Sequence, residues 1–128
     1  MRKVIYFLLP IILIFIISCI EPYEDPPRTR QVPVEYIKSV TIQNHNVNIK
    51  VGFFIPEIGC WDFVRNEVKQ NNNIINCKVF ACRTTDGPCF QQPDILLTEF
   101  IFKNIKSGTY TFEFDSWEEK VDTIINIP

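Results

Sequence analysis

From Tyr36 onward, apolar and polar positions alternate along most of the chain. Residues 37–43 place Val40 and Ile42 on one face, and Asn44, His45 and Asn46 then read as a turn. Val47, Ile49, Val51 and Phe53 alternate with Asn48, Lys50 and Gly52, a period of two. Pro56 and Gly59 break the next stretch. Segments 61–70 and 74–83 flank Asn71, Asn72 and Asn73, and asparagine tolerates the positive φ that hairpin turns require. Residues 83–93 form a loop with a turn at Asp86, Gly87 and Pro88, and 94–103 form an apolar strand. Tyr110, Phe112 and Phe114 alternate with Thr111, Glu113 and Asp115. Val121, Thr123, Ile125 and Ile127 share one side of the last strand. About seven short strands separated by turns predict an all-β fold, a single antiparallel β-sandwich. Val64 and Val68 have helical spacing, but their β-rich surroundings outweigh it.

The N-terminus obeys a different pattern. Arg2 and Lys3 precede an apolar run, 4–17, interrupted only by Tyr6 and Pro10. As a helix this run reaches about 21 Å, short of the roughly 30 Å bilayer core, and its composition matches a secretory signal. Residues 16–19 read Ile-Ile-Ser-Cys. This resembles the lipobox of bacterial lipoproteins, in which an aliphatic residue lies three before the cysteine and a small one directly before it. The resemblance implies a diacylglyceryl group on the Cys19 sulfur, cleavage between Ser18 and Cys19, and acylation of the new amino group. It also implies a place on the extracytoplasmic side of a membrane, the outer membrane in a Gram-negative cell. Each buried methylene contributes about 0.8 kcal/mol, so two or three acyl chains would hold the chain at the membrane.

The expected organisation is a signal peptide at 1–18, a Pro-rich tether at 19–34 and a β-sandwich domain at 35–128. Pro22, Pro26, Pro27 and Pro33 favour an extended, solvated spacer, with a reach up to about 40 Å. The chain of 128 residues is 46% hydrophobic with net charge −2. Removal of 1–18 would leave 11 basic and 15 acidic residues, net −4. That balance argues against a nucleic-acid partner and leaves membrane attachment to the lipid.

Beyond Cys19, the cysteines are Cys60, Cys77, Cys82 and Cys89, and export permits disulfides. With Asn71 and Asn72 as a two-residue turn, Val68 is expected to face Ile75, Val64 to face Val79 and Cys60 to face Arg83. Cys77 and Cys82 then lie about 16 Å apart on one extended strand, beyond the roughly 7 Å that a bridge allows, and Cys60–Cys77 fails likewise. Cys60–Cys89 and Cys60–Cys82 both remain open on this reasoning.

Other chemistry is weak. His45, the only histidine, reads as an exposed turn residue rather than half of a Cys/His pair. Cys77-x₄-Cys82 and Cys82-x₆-Cys89 fit zinc knuckles only if stretched, and export disfavours reduced thiolates. A C-x-x-C redox motif, Gly-rich phosphate loops and G-x-S-x-G are absent, so neither a metal, a cofactor nor an enzymatic activity is expected. Glu113, Asp115, Glu118 and Glu119 read as a solvated face rather than a calcium site. Trp61, Phe63 and Phe80 could form an aromatic patch, with core packing the simpler use.

Gly59-Cys60, a long hairpin, Gly87-Pro88-Cys89 and then Gly108-Thr109-Tyr110-Thr111 resemble small immunoglobulin-like modules of exported bacterial proteins. The resemblance covers about 36–127. It implies an immunoglobulin-like sandwich and the Cys60–Cys89 bridge, with Cys77 left as a buried thiol. It brings no catalytic residues. The function expected is a membrane-anchored binding or structural module that meets an envelope protein. The alternative is an inhibitor of exported proteases acting through the 83–93 loop, with Arg83, Asp86 and Phe90 as the candidate binding residues.

Overall fold

A computed structural model describes residues 25–128; the expected signal peptide, Ser18, Cys19 and the first part of the tether lie outside the described residues. Eight strands follow in order: β1 (Thr29–Val32), β2 (Val34–Gln43), β3 (Asn46–Ile55), β4 (Trp61–Asn71), β5 (Ile74–Arg83), β6 (Asp94–Phe102), β7 (Gly108–Phe114) and β8 (Val121–Ile127). They form two sheets, β2-β3-β6 and a five-stranded sheet organised around β5. The fold is an all-β sandwich.

The inward faces follow from the period of two. β3 buries Val47, Ile49, Val51, Phe53 and Ile55 against Ile75, Cys77, Val79 and Ala81 of β5 and Tyr110, Phe112 and Phe114 of β7. Edge-on aromatic contacts cross between the sheets, Phe100 to Phe114 at 5.3 Å and Phe102 to Phe112 at 5.0 Å. Such pairs contribute about 0.5–1.5 kcal/mol beyond their buried area. On the outer face of the smaller sheet the Tyr36 ring lies over Gly52. A Cβ at Gly52 would stand 2.7 Å from that ring and 2.8 Å from Ile95, so the absence of a side chain lets the ring lie flat.

Three expectations change. The strands number eight rather than about seven, because β1 forms inside the expected 19–34 tether. Pro26, Pro27 and Pro33 bracket a four-residue strand instead of interrupting one. The Pro26 carbonyl accepts from the Thr29 amide at 3.2 Å and hydroxyl at 2.6 Å, turning the chain into β1. Pro33, lacking an N–H, ends the β1 ladder and passes the chain to the other sheet, where its carbonyl accepts from the Phe54 amide at 2.9 Å.

Pairing is also not wholly antiparallel. β5 pairs β4 along one edge, and its other edge is shared between β7, parallel at Ile74–Cys77, and β1, antiparallel at Val79–Cys82. A parallel neighbour fits here because β6 and its turns carry the chain across the sandwich between β5 and β7.

The β4–β5 register differs from the expected one by two residues. Asn72 and Asn73 make the turn, with Asn72 at φ 54°, so Val68 faces Cys77 instead of Ile75. Asn66, not Val64, therefore faces Val79, and a bulge between Phe63 and Arg65 reduces the offset to one residue, so that Trp61 and not Cys60 stands opposite Arg83. The β2–β3 turn does fall at Asn44 and His45, both with positive φ, as the two-residue hairpin geometry demands.

Candidate functional site

Chain direction sorts the loops into two ends. The β2–β3, β4–β5 and β6–β7 turns and the C-terminus share one end, where the Ile105 amide donates to the His45 carbonyl and the Ser107 hydroxyl to the Pro128 carbonyl. At the other end lie the start of β1, the 56–60 and 84–93 loops and the 115–120 loop. This second end holds the Cys60–Cys89 disulfide, with Cα atoms 6.1 Å apart.

Cys60 meets Cys89 rather than Cys82 because of strand alternation. Cys82 pairs in register with Asp62 and Thr29 on the outer face of the large sheet, whereas Cys60 precedes β4 and accepts through its carbonyl from the Thr84 amide at 2.9 Å. The loops are closed further by a bridge between Ile58 and Phe90 and by the Ile58 amide donating to the Gln92 carbonyl at 3.0 Å.

Glu57 organises this end. Its carboxylate accepts from Arg83 Nε at 3.1 Å, Gln91 Nε2 at 3.0 Å and Trp61 Nε1 at 3.4 Å. Desolvation pushes the Glu57 carboxyl up, but the hydrogen bonds from Gln91, Trp61 and Arg83, with the Arg83 charge, hold it below the usual carboxylate range. The Arg83 guanidinium also donates to the Gly87 carbonyl and the Cys89 sulfur, both at 3.3 Å. Arg30 lies 4.2 Å over the Trp61 ring, which is buried beneath it.

Of the three loop residues nominated from sequence, Arg83 is occupied internally and Asp86 forms an ion pair with Arg28. Asp86 and Phe90 are both exposed, and Phe90, at 80%, is the one of the three without an ion pair. Sequence reasoning missed Trp117, which is 69% exposed on the 115–120 loop and packs edge-on against Phe54 at 5.9 Å. Its signal was a lone tryptophan inside the polar run Asp115, Ser116, Glu118 and Glu119. Glu57 carried no comparable signal, because its partners converge only in the folded chain.

Trp61, Phe63 and Phe80 do not make one patch. Trp61 and Phe63 point inward, Phe63 reaching Phe53 at 6.3 Å, while Phe80 points outward beneath Arg65 at 3.9 Å. The carboxylates weighed for calcium are spent separately: Glu113 accepts from Lys120 at 2.6 Å, and Asp115 accepts from Gln31 at 2.8 Å. Among the described residues no group of three or more His, Cys, Asp or Glu side chains is placed to hold a metal ion. His45 is exposed in its turn.

Cys77 and Cys82 are free and buried. Burial pushes the Cys77 thiol up from 9.0 to about 12. Between those values the unfolded chain has released the proton that the native chain retains, so native stability falls as pH rises. The slope is about 1.4 kcal/mol per pH unit for this one group. Denaturant melts of wild type and Cys77→Ala across pH 8 to 11 are expected to diverge in steepness above pH 9. Parallel curves would contradict the assignment.

No known protein family, curated protein or solved structure matches this chain.

Proposed function

We propose that this chain is a lipid-anchored module of the bacterial cell envelope, acting by binding or by structure rather than by catalysis, and that its sandwich is immunoglobulin-like. The observation that carries the reading is the Ile-Ile-Ser-Cys sequence at 16–19, directly after a charged start and an apolar run too short to span a bilayer. A disulfide at Cys60–Cys89 supports an exported location, since bridges persist in oxidising compartments. At the loop end Glu57 and Arg83 serve each other in holding the loops, which supports a scaffold role.

The test is metabolic labelling with a fatty-acid analogue. Wild type is expected to incorporate label, and Cys19→Ser is expected to lose it completely and to accumulate as the uncleaved precursor. Label retained by Cys19→Ser would overturn the anchor.

A second reading, inhibition of exported proteases, is favoured only by the projection of Phe90 from a disulfide-pinned loop. It would require Phe90, rather than the internally engaged Arg83, to enter the protease. Replacing 84–92 by glycine and serine would then abolish inhibition.

A further inference from the structure

The two most exposed aromatic side chains among the described residues, Phe90 and Trp117, stand on separate loops that open toward the same end of the sandwich, and that is the end where the chain enters. We infer that this end is a membrane-docking surface: Phe90 and Trp117 enter the headgroup region of the bilayer to which Cys19 is attached. The inference rests on the lipid-anchor reading.

Chain length carries the argument. The Asp25 carboxylate is held by Arg65 Nε at 3.0 and 3.1 Å, which fixes the domain's entry point to β4. Only six Cα steps separate Cys19 from Asp25, at most about 21 Å of fully extended chain. Arg65 is in register with Phe80, three residues before the end of β5 at Arg83. The 84–93 loop therefore projects about 10 Å beyond Asp25, while the 115–120 loop leaves β7 level with Cys77 and carries Trp117 up to Arg30, which pairs with Ala81. A tether of that reach leaves the loop tips no more than about 10 Å from the bilayer surface when the sandwich stands upright, and any shortening brings them into contact.

Two surfaces lie within reach of so short a tether, and they differ in chemistry. The outer face of the five-stranded sheet carries Asp25, Arg65, Glu67 and Lys69 in mutual ion pairs, with Lys78 on Asp115. That ladder is already satisfied and hydrated, so pressing it against lipid would strip water from charges with no compensating gain. The loop end instead offers Phe90 beside Pro88, and Trp117 in a hollow with Pro33, Pro56 and Arg30, with Glu35 and Glu118 on its other side. Tryptophan and phenylalanine favour the boundary between acyl chain and headgroup, tryptophan most of all because its N–H stays in the wet layer. Arg30 forms no ion pair among the described residues and stands beside Trp117, placed to meet a lipid phosphate. Trp117 is braced by Phe54, so its insertion sacrifices little side-chain freedom, and the backbone bridge to Ile58 fixes where Phe90 stands.

The test uses the full-length gene product expressed in a bacterium, extracted in detergent and checked by mass for acylation of Cys19. The protein is then placed in phosphatidylcholine vesicles whose acyl chains are brominated either near the headgroup or deep. Trp117 reports on the end itself, whereas Trp61 is shielded. Shallow bromines are expected to remove most of the exposed tryptophan emission and deep bromines much less. Trp117→Phe should abolish that quenching, and Phe90→Ser should reduce it. Acylated protein with equal emission in brominated and plain vesicles would overturn the docking surface and leave the anchor standing, as would cross-linking of the loop end to a protein instead of lipid. Absence of acyl chains on Cys19 would remove both readings.

Discussion

Phe112→Ala is expected to destabilise the domain by about 3–5 kcal/mol, the range for deleting a large ring from a packed core. Phe112 is fully buried on β7, the strand that joins β5 on one side to β8 on the other, and its ring meets Phe102 of the opposite sheet edge-on at 5.0 Å. Loss of the ring removes transfer free energy, an aromatic contact between sheets and the support of β7's parallel pairing together. Stability of a domain this size is typically about 5–15 kcal/mol, so the variant would lie near the edge of folding. Ile124 on the adjacent strand is 71% exposed, and Ile124→Ala should stay within about 0.5 kcal/mol. Urea melts of the oxidised proteins read both numbers. A Phe112→Ala midpoint within error of Ile124→Ala would refute the core assignment.

Removal of the disulfide by Cys60→Ala with Cys89→Ala is expected to lower stability by about 3–4 kcal/mol. The bridge closes a loop of sequence separation 29, and loop-closure entropy in the unfolded chain gives that magnitude. The native consequence is local. Arg83 loses the Cys89 sulfur as an acceptor, and the 84–93 loop loses its tie to Cys60, while β5 keeps β4, β7 and β1 as neighbours. Hydrogen exchange should therefore speed up at the 84–93 amides with little change at 74–82 when stability is compared well below the melting midpoint. An unchanged melt on thiol reduction would show that the bridge does not form in solution. In the double variant the Cys77 thiol should remain unreactive in the native state, because its burial lies between the sheets and not under the loop.

Several elements were legible in the chain for one physical reason: a strand with one buried face writes its alternation into consecutive residues. β3 is the clearest case, with Val47, Ile49, Val51, Phe53 and Ile55 all buried at every second position. β7 and β8 follow the same rule with Phe112, Phe114, Ile125 and Ile127. β1 was hidden because four residues between prolines carry too little alternation, and only Val32 among them is buried. The β4–β5 register was misplaced because three consecutive asparagines offer more than one turn of equal local quality. A two-residue offset leaves the same β5 side chains facing inward, so alternation does not separate the registers. Asn73 is fixed instead by β7, its carbonyl accepting from the Thr111 amide and its side chain donating to the Thr109 carbonyl, and that selection is a long-range matter. At the loop end, Phe90 was visible as part of a Gly-Pro-bearing loop, but Glu57 acquires its role only when Trp61, Arg83 and Gln91 converge upon it.

By itself, then, the sequence determined where most strands run, which side of each faces inward, and that the body is all-β. These depend on interactions between near neighbours and on a face's need to leave water. Only the tertiary structure decided which edges meet: β5 shared between β7 and β1, Cys89 rather than Cys82 opposite Cys60, Asp25 held on Arg65, and two exposed aromatics on separate loops that open toward the end where the chain enters. Such pairings join residues tens of positions apart, and the winner among locally equivalent partners is set by the burial and strand direction of the assembled whole.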